Sequence, residues 1–256
     1  MLKLRLFSPL IGLLLLQACH HNDQAAEQHT TKVPKLHEAA SYNAQLGLAY
    51  LQQGNRSLAK HKLLLAISEA PNAPTVNAAM GFFMEKSGEM DKARLYYQKA
   101  MAAAPHAGTQ LNNYGAFLCR QGHYRQAEGF FLKAVADNDY EHTAGAYENA
   151  GLCVLAIPDN ANAAKYFIKA LEQDPSREQS LYQLVTLEMK QGNSNKALAY
   201  LQQYPNLSLH NRVLLGLAVD LATKAKKPEW VADYTMRLHG LSDNTGEKNE
   251  YNNNNG

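Results

Sequence analysis

Few side chains in this 256-residue chain are spaced for catalysis. His37-Glu38 opens like the HExxH pair of a zinc hydrolase, in which two imidazoles one helical turn apart hold the metal. Position 41 is Ser, however, so the second ligand is absent. The sequence holds no GxSxG nucleophile turn, no GxxxxGK[ST] phosphate loop and no dinucleotide fingerprint. His106, His123 and His142 fall between expected helices and read as exposed loop residues, and the adjacent His20 and His21 read as solvated. Three cysteines are too few for a disulfide scaffold, and no CxxC pair suggests zinc or redox chemistry. The chain is therefore not expected to be an enzyme, nor to carry a cofactor or a metal.

Composition narrows the classes further. The 25 Lys+Arg against 23 Asp+Glu give a net charge of +2, without the concentrated basic surface that a general nucleic-acid binder needs to neutralise phosphates. Neither nucleic acid nor a small-molecule substrate is an expected partner. Apolar residues make up 46% and charged ones 19%, which points to a packed core rather than disorder. A mean hydropathy of -0.40 excludes a polytopic membrane protein.

The N-terminus carries the clearest chemical signal. Lys3 and Arg5 precede an apolar run, Leu6 to Leu16, that is too short for a lasting transmembrane helix, which takes about 20 residues. The run ends in Leu16-Gln17-Ala18-Cys19, which resembles a bacterial lipobox with an uncommon Gln. In that reading residues 1–18 are a lipoprotein signal peptide. Cys19 becomes the new N-terminus, with a diacylglyceride thioether and an N-linked acyl chain such as palmitate. Each buried methylene contributes about 0.8 kcal/mol, so three chains anchor a protein stably where one does not. His20 rather than Asp follows the cysteine, and the outer membrane is the expected destination, with the domain facing the periplasm. Residues 19–39 are expected to form the lipidated start and a flexible tether, and residues 242–256, closing in NEYNNNNG, a disordered Asn-rich tail.

Between these ends the sequence repeats with a period of 34 residues. Gly47, Gly81 and Gly115 keep that step, as do Ala59, Ala93 and Ala127, and Ala66, Ala100 and Ala134. After a two-residue slip the frame resumes at Gly151, Ala163, Ala170 and Pro175, then at Val185, Gly192 and Ala197. The period is that of the tetratricopeptide repeat, a helix–turn–helix unit. The small residues let helix A lie against helix B. Gly54, Gly88, Gly122 and Gly192 fall at the A–B turn, and Pro71, Pro105 and Pro175 close helix B. Leu46, Tyr50, Leu63, Met80, Tyr97, Tyr114, Phe131, Phe167 and Leu201 are expected to fill between helices. Repeats are laid out at 40–73, 74–107, 108–141, 144–177 and 178–211, with a degenerate sixth at 212–241 whose Trp230 is expected to cap the last core face. The predicted fold is an all-α, right-handed superhelix of about six repeats, with its core supplied collectively.

Such an array presents a concave surface lined by its A helices. The register places Phe82, Glu85 and Lys86 there from the second unit, Asn112, Ala116 and Arg120 from the third, and Glu148 and Leu152 from the fourth. These form the candidate partner-binding groove. Individually, such positions are often only solvated.

The segment Leu111-Asn112-Asn113-Tyr114-Gly115-Ala116-Phe117-Leu118-Cys119 looks like the NNYGxFLC signature of the tetratricopeptide pilotin family of type IV pilus biogenesis, the PilF/PilW-type outer-membrane lipoproteins. The likeness extends to the lipobox, tether and repeat number; Gln17 and the Asn-rich tail depart from it. It implies a non-catalytic protein that binds the secretin subunit and promotes its assembly in the outer membrane. Asn112 is then a candidate for hydrogen bonding an extended backbone, while Asn113 reads as bonding within its repeat. Cysteines in the same two segments of some family members support a bridge between Cys119 and Cys153, and an oxidising periplasm permits one; two buried free thiols are the alternative. A scaffold for another envelope complex, in cell-wall synthesis or outer-membrane protein insertion, is the competing function.

Overall fold

The turns explain why the helices come in pairs. A helix that must reverse needs a residue in the left-handed region, which costs an L-residue with a Cβ but not glycine. Gly88 and Gly122 sit there at φ 81° and 83°. Each closes a Schellman motif: Glu89 N–H donates to the Met84 carbonyl at 2.9 Å and Gly88 N–H to that of Glu85 at 3.0 Å, while His123 donates to Leu118 at 2.9 Å. The next repeat starts as deliberately, for Pro74 occupies the first turn of its helix, where its missing N–H is not needed.

The computed structural model describes the backbone of residues 23–251 and the side chains of residues 35–241. The signal peptide, Cys19, His20 and His21 lie outside the described residues. Among these there are thirteen helices and no strand. The chain divides into two compact units, one ending at Pro71 and one starting at Asn72.

The first unit is one hairpin, α1 (Asp23–Gln52) with α2 (Arg56–Glu69). Gly47 on α1 lies against the fully buried Leu63 of α2. The buried Asn43 donates to the Glu69 carboxylate at 2.9 and 3.2 Å. Helix α1 starts well inside the segment read as a tether, whose backbone is thus helical from Asp23.

The second unit stacks five pairs: α3 (Pro74–Lys86) with α4 (Met90–Ala103), α5 (Gly108–Arg120) with α6 (Tyr124–Val135), α7 (Thr143–Val154) with α8 (Asn160–Gln173), α9 (Glu178–Lys190) with α10 (Ser194–Gln203), and α12 (Arg212–Lys224) with α13 (Pro228–Tyr251). Each B helix also packs on the A helix of the following pair, which makes the stack a tetratricopeptide superhelix. Its core repeats in register. Tyr97, Phe131 and Phe167 each fill the space over a glycine of their own A helix, Gly81, Gly115 and Gly151. In the fifth repeat the buried pair is Val185 and Leu201, a larger A residue with a smaller B one, so the filled volume is kept.

Three features depart from the expected layout. A one-turn helix, α11 (Pro205–Ser208), follows α10, started by Pro205. Trp230 is only half-buried, its ring under the Lys227 ammonium at 5.2 Å, and Tyr234, about one helical turn further, is the aromatic that α13 buries. Finally, α13 runs on to Tyr251, so the segment read as a disordered tail begins as helix.

The two-residue slip has a physical role. Asp137 ties the end of the third repeat back to its start: its carboxylate accepts Gly108 N–H at 2.7 Å and Asp139 N–H at 3.1 Å. The inserted turn buries Tyr140 against Leu111 and Ala146.

Candidate partner-binding groove

In the second unit successive A helices touch (α3 with α5, α5 with α7, α7 with α9), and successive B helices do not approach to the same degree. The stack therefore curves towards its A helices, which line the concave side.

Most polar residues expected to contact a partner there are instead engaged with the neighbouring repeat. Between α3 and α5, Glu85 is buried and Arg120 grips it with two bonds, Nε to Oε1 at 2.5 Å and Nη2 to Oε2 at 2.8 Å. The Tyr97 hydroxyl adds a third donor to Oε2 at 3.2 Å. Burial above all, and then the Glu85 charge, holds the Tyr97 hydroxyl well above the ordinary tyrosine range, so it stays a neutral donor. The bonds to Glu85 raise the already high Arg120 value.

Between α5 and α7 the tie is double. Asn149 Nδ2 donates to Asn112 Oδ1 at 3.0 Å, so Asn112 is not simply solvated. Cys119 and Cys153 are joined by a disulfide, their Cα atoms 5.7 Å apart. Between α7 and α9, Glu148 accepts the hydroxyl of the buried Ser180 at 2.8 Å and Arg177 Nη1 at 3.3 Å.

These ties share a geometry. Asn149 and Arg120 each stand one residue past the register equivalent of their partner, at separations of 37 and 35 residues, and Cys153 and Ser180 stand two residues short of it. The offsets differ by three residues, less than one helical turn, so both kinds reach from the leading side of one A helix to the trailing side of the next.

The apolar residues of the expected face come together on the inner surface. Phe82, Ala116 and Leu152 hold one register position on α3, α5 and α7; the first two are half-buried and Leu152 is 36% exposed. The Lys86 ammonium lies 5.3 Å from the centre of the Phe82 ring. Sequence reasoning missed Tyr97, Asn149, Arg177 and Ser180 as partners of these groups; the one-past, two-short offset is the signal that finds Asn149 and Ser180, while Tyr97, 12 residues from Glu85, and Arg177, 29 residues from Glu148, fall outside it. His106, His123 and His142 are exposed, the last two at the N-caps of α6 and α7. Among the described residues no cluster of three His, Cys, Asp or Glu side chains is placed to hold a metal, and no helix is long and apolar enough to cross a membrane.

Solved structures share this stack. The chain is 29% identical to PilF of Pseudomonas aeruginosa, over 85% of this chain and 98% of that one, with a TM-score of 0.67. This chain is a tetratricopeptide-repeat array. The array is also similar to PilW, described as a widely conserved type IV pilus biogenesis factor, at 22% identity over 78% of this chain and 92% of that one and a TM-score of 0.63. The tetratricopeptide-repeat protein YrrB, described as having an unusual peptide-binding site, is 15% identical over 70% of this chain and 91% of that one, with a TM-score of 0.52, and adds support for the fold alone. The likeness read from the NNYGAFLC segment thus has counterparts among the structural neighbours. No family model matches the repeat array, and no curated protein does.

Proposed function

We propose that this array is a non-catalytic pilotin of type IV pilus biogenesis: an outer-membrane lipoprotein that binds the secretin subunit and promotes its assembly into a stable multimer. The likeness to PilF over nearly the whole of that protein carries the reading. The parts suggest how it works. Acyl chains on Cys19 bring the array to the outer membrane, with the repeats in the periplasm, and the concave face holds a secretin segment in transit. A bridged Cys119–Cys153 pair suits that oxidising compartment.

Deletion of the gene followed by an unheated secretin blot tests the proposal. Loss of the heat-resistant multimer with accumulation of monomer is expected; an undiminished multimer overturns it and favours a scaffold of another envelope complex. Cys19→Ala is expected to leave the helical content unchanged and to release the protein from the outer-membrane fraction, and retention there refutes the lipid anchor.

A further inference from the structure

The inserted α11 does more than interrupt the period. The turn between α8 and α9, with the end of α10 and α11 itself, lines an open cavity of about 460 Å³. Small-ligand sites span about 300–1,000 Å³. No residue of the candidate groove takes part in it. Part of its wall is apolar, from Pro175, Pro205 and Leu207, and the two prolines are rigid and have no main-chain N–H to satisfy.

The charge in the lining is already occupied. One Asp174 oxygen accepts the Ser176 N–H at 3.0 Å and the Ser176 hydroxyl at 2.5 Å, and the other accepts Arg177 Nε at 3.0 Å. The neutral polar groups are in the opposite condition. Gln203, Asn206 and the Tyr204 hydroxyl make no side-chain hydrogen bond to another described residue. His210 reaches only the main-chain carbonyl of Asn206, at 3.2 Å. Burial first, and then the charge of Glu172, raises the Tyr204 value, so its hydroxyl stays a neutral donor.

These groups select a ligand by exclusion. An anion meets the field of Asp174 and Glu172. A cation finds both Asp174 oxygens taken, and Glu172 is not among the lining residues. A wholly apolar molecule covers two amides and a hydroxyl without pairing them, which is costly. What remains is a neutral molecule with amide and hydroxyl groups at its edge and carbon-bound hydrogens on its face.

We infer that this cavity binds a neutral N-acetylated sugar, with its acetamido group between the amides of Gln203 and Asn206, a ring hydroxyl on Tyr204, and its methyl and C–H face on Pro175, Pro205 and Leu207. An acetamido group carries one donor and one acceptor, and a side-chain amide offers both in return. Each sugar hydroxyl also gives and accepts, which suits a lining whose free groups do the same. Rigid proline walls lose little freedom when the ligand enters. The site is separate from the concave face, and nothing in it depends on the pilotin reading.

Saturation-transfer NMR on the full chain tests the assignment. N,N′-diacetylchitobiose is the probe; glucuronate, N-acetyl-argininamide and a capped Pro-Pro dipeptide stand for the anionic, cationic and peptide classes. Saturable binding of the chitobiose is expected with a Kd on the order of 1 mM, which about four net hydrogen bonds give. Gln203→Ala and Asn206→Ala, which break no internal bond, and Tyr204→Phe are each expected to weaken it about fivefold. Gln126→Ala removes an exposed amide of α6 outside the cavity and is expected to leave binding unchanged. The inference is overturned by the lack of a saturable signal up to about 20 mM, or by tighter binding of any of the other three probes. Indifference to both amide substitutions, or an equal loss in Gln126→Ala, overturns it as well.

Discussion

Glu85 shows how one side chain can be misassigned from its position alone. Its helix register puts it beside a solvent-facing surface, yet it lies under Arg120 and Tyr97 with both oxygens occupied. Replacing Arg120 by Met leaves that carboxylate without its cation. Because the Arg120 side chain is 42% exposed and partly screened, the expected loss is about 2 kcal/mol, below the range for fully buried pairs. A large part of the loss is expected to return in the Glu85→Gln/Arg120→Met double variant, and the midpoints of urea unfolding check both. Tyr97 has its own signature in alkali. Its folded-state value is raised, so the neutral hydroxyl stabilises the fold fully below the unfolded value near pH 10, and that contribution fades as pH climbs above it. Between about pH 9 and 11.5 the melting temperature of the native chain should therefore fall more steeply than that of Tyr97→Phe. None of this was legible from residue type. Opposite charges 35 residues apart are informative only once the 34-residue period is known and the extra residue is seen as a step towards the next helix.

At the scale of helices and turns, the small residues carried most of the information, because spacing of glycine and alanine reports where backbones must approach. Gly151 is a clear case: a Cβ there would stand 2.7 Å from a ring carbon of Phe167. Gly151→Ala is expected to destabilise by about 1–3 kcal/mol through overpacking, despite alanine's better helix propensity, as calorimetry would read. The opposite change works in the last repeat. Lys226 occupies the turn position that glycine holds elsewhere, at φ 54°, and keeps the same closing bond, Lys227 N–H to the Ala222 carbonyl at 2.9 Å. Lys226→Gly is therefore expected to stabilise by about 1 kcal/mol, raising the melting temperature by about 3 °C. Where the small-residue rhythm lapses, reading by spacing lost its footing. The short α11 rests on one proline outside the period, and the choice between Trp230 and Tyr234 as the buried aromatic depends on the pitch of a helix with no glycine opposite to mark its inner face.

For the whole array, the same ties that occupy the expected contact residues fix how neighbouring repeats sit, so the concave face of the second unit is set by the chain itself before any partner arrives. Three successive junctions each carry a bridge, and one of them is covalent. That covalent link has a mechanical meaning. Under the proposed function the array would bear tension between a bilayer anchor and a cargo, and the loop from Cys119 to Cys153 is excluded from that load path. Its 34 residues represent about 115 Å of chain that cannot be drawn out while the sulfurs remain joined. Stretched between two beads in an optical trap, the oxidised protein should yield a contour shorter than its Cys119→Ser/Cys153→Ser counterpart by about that length. The third and fourth repeats would then part only after the bond is reduced, which gives the stretched array a built-in stop against over-extension.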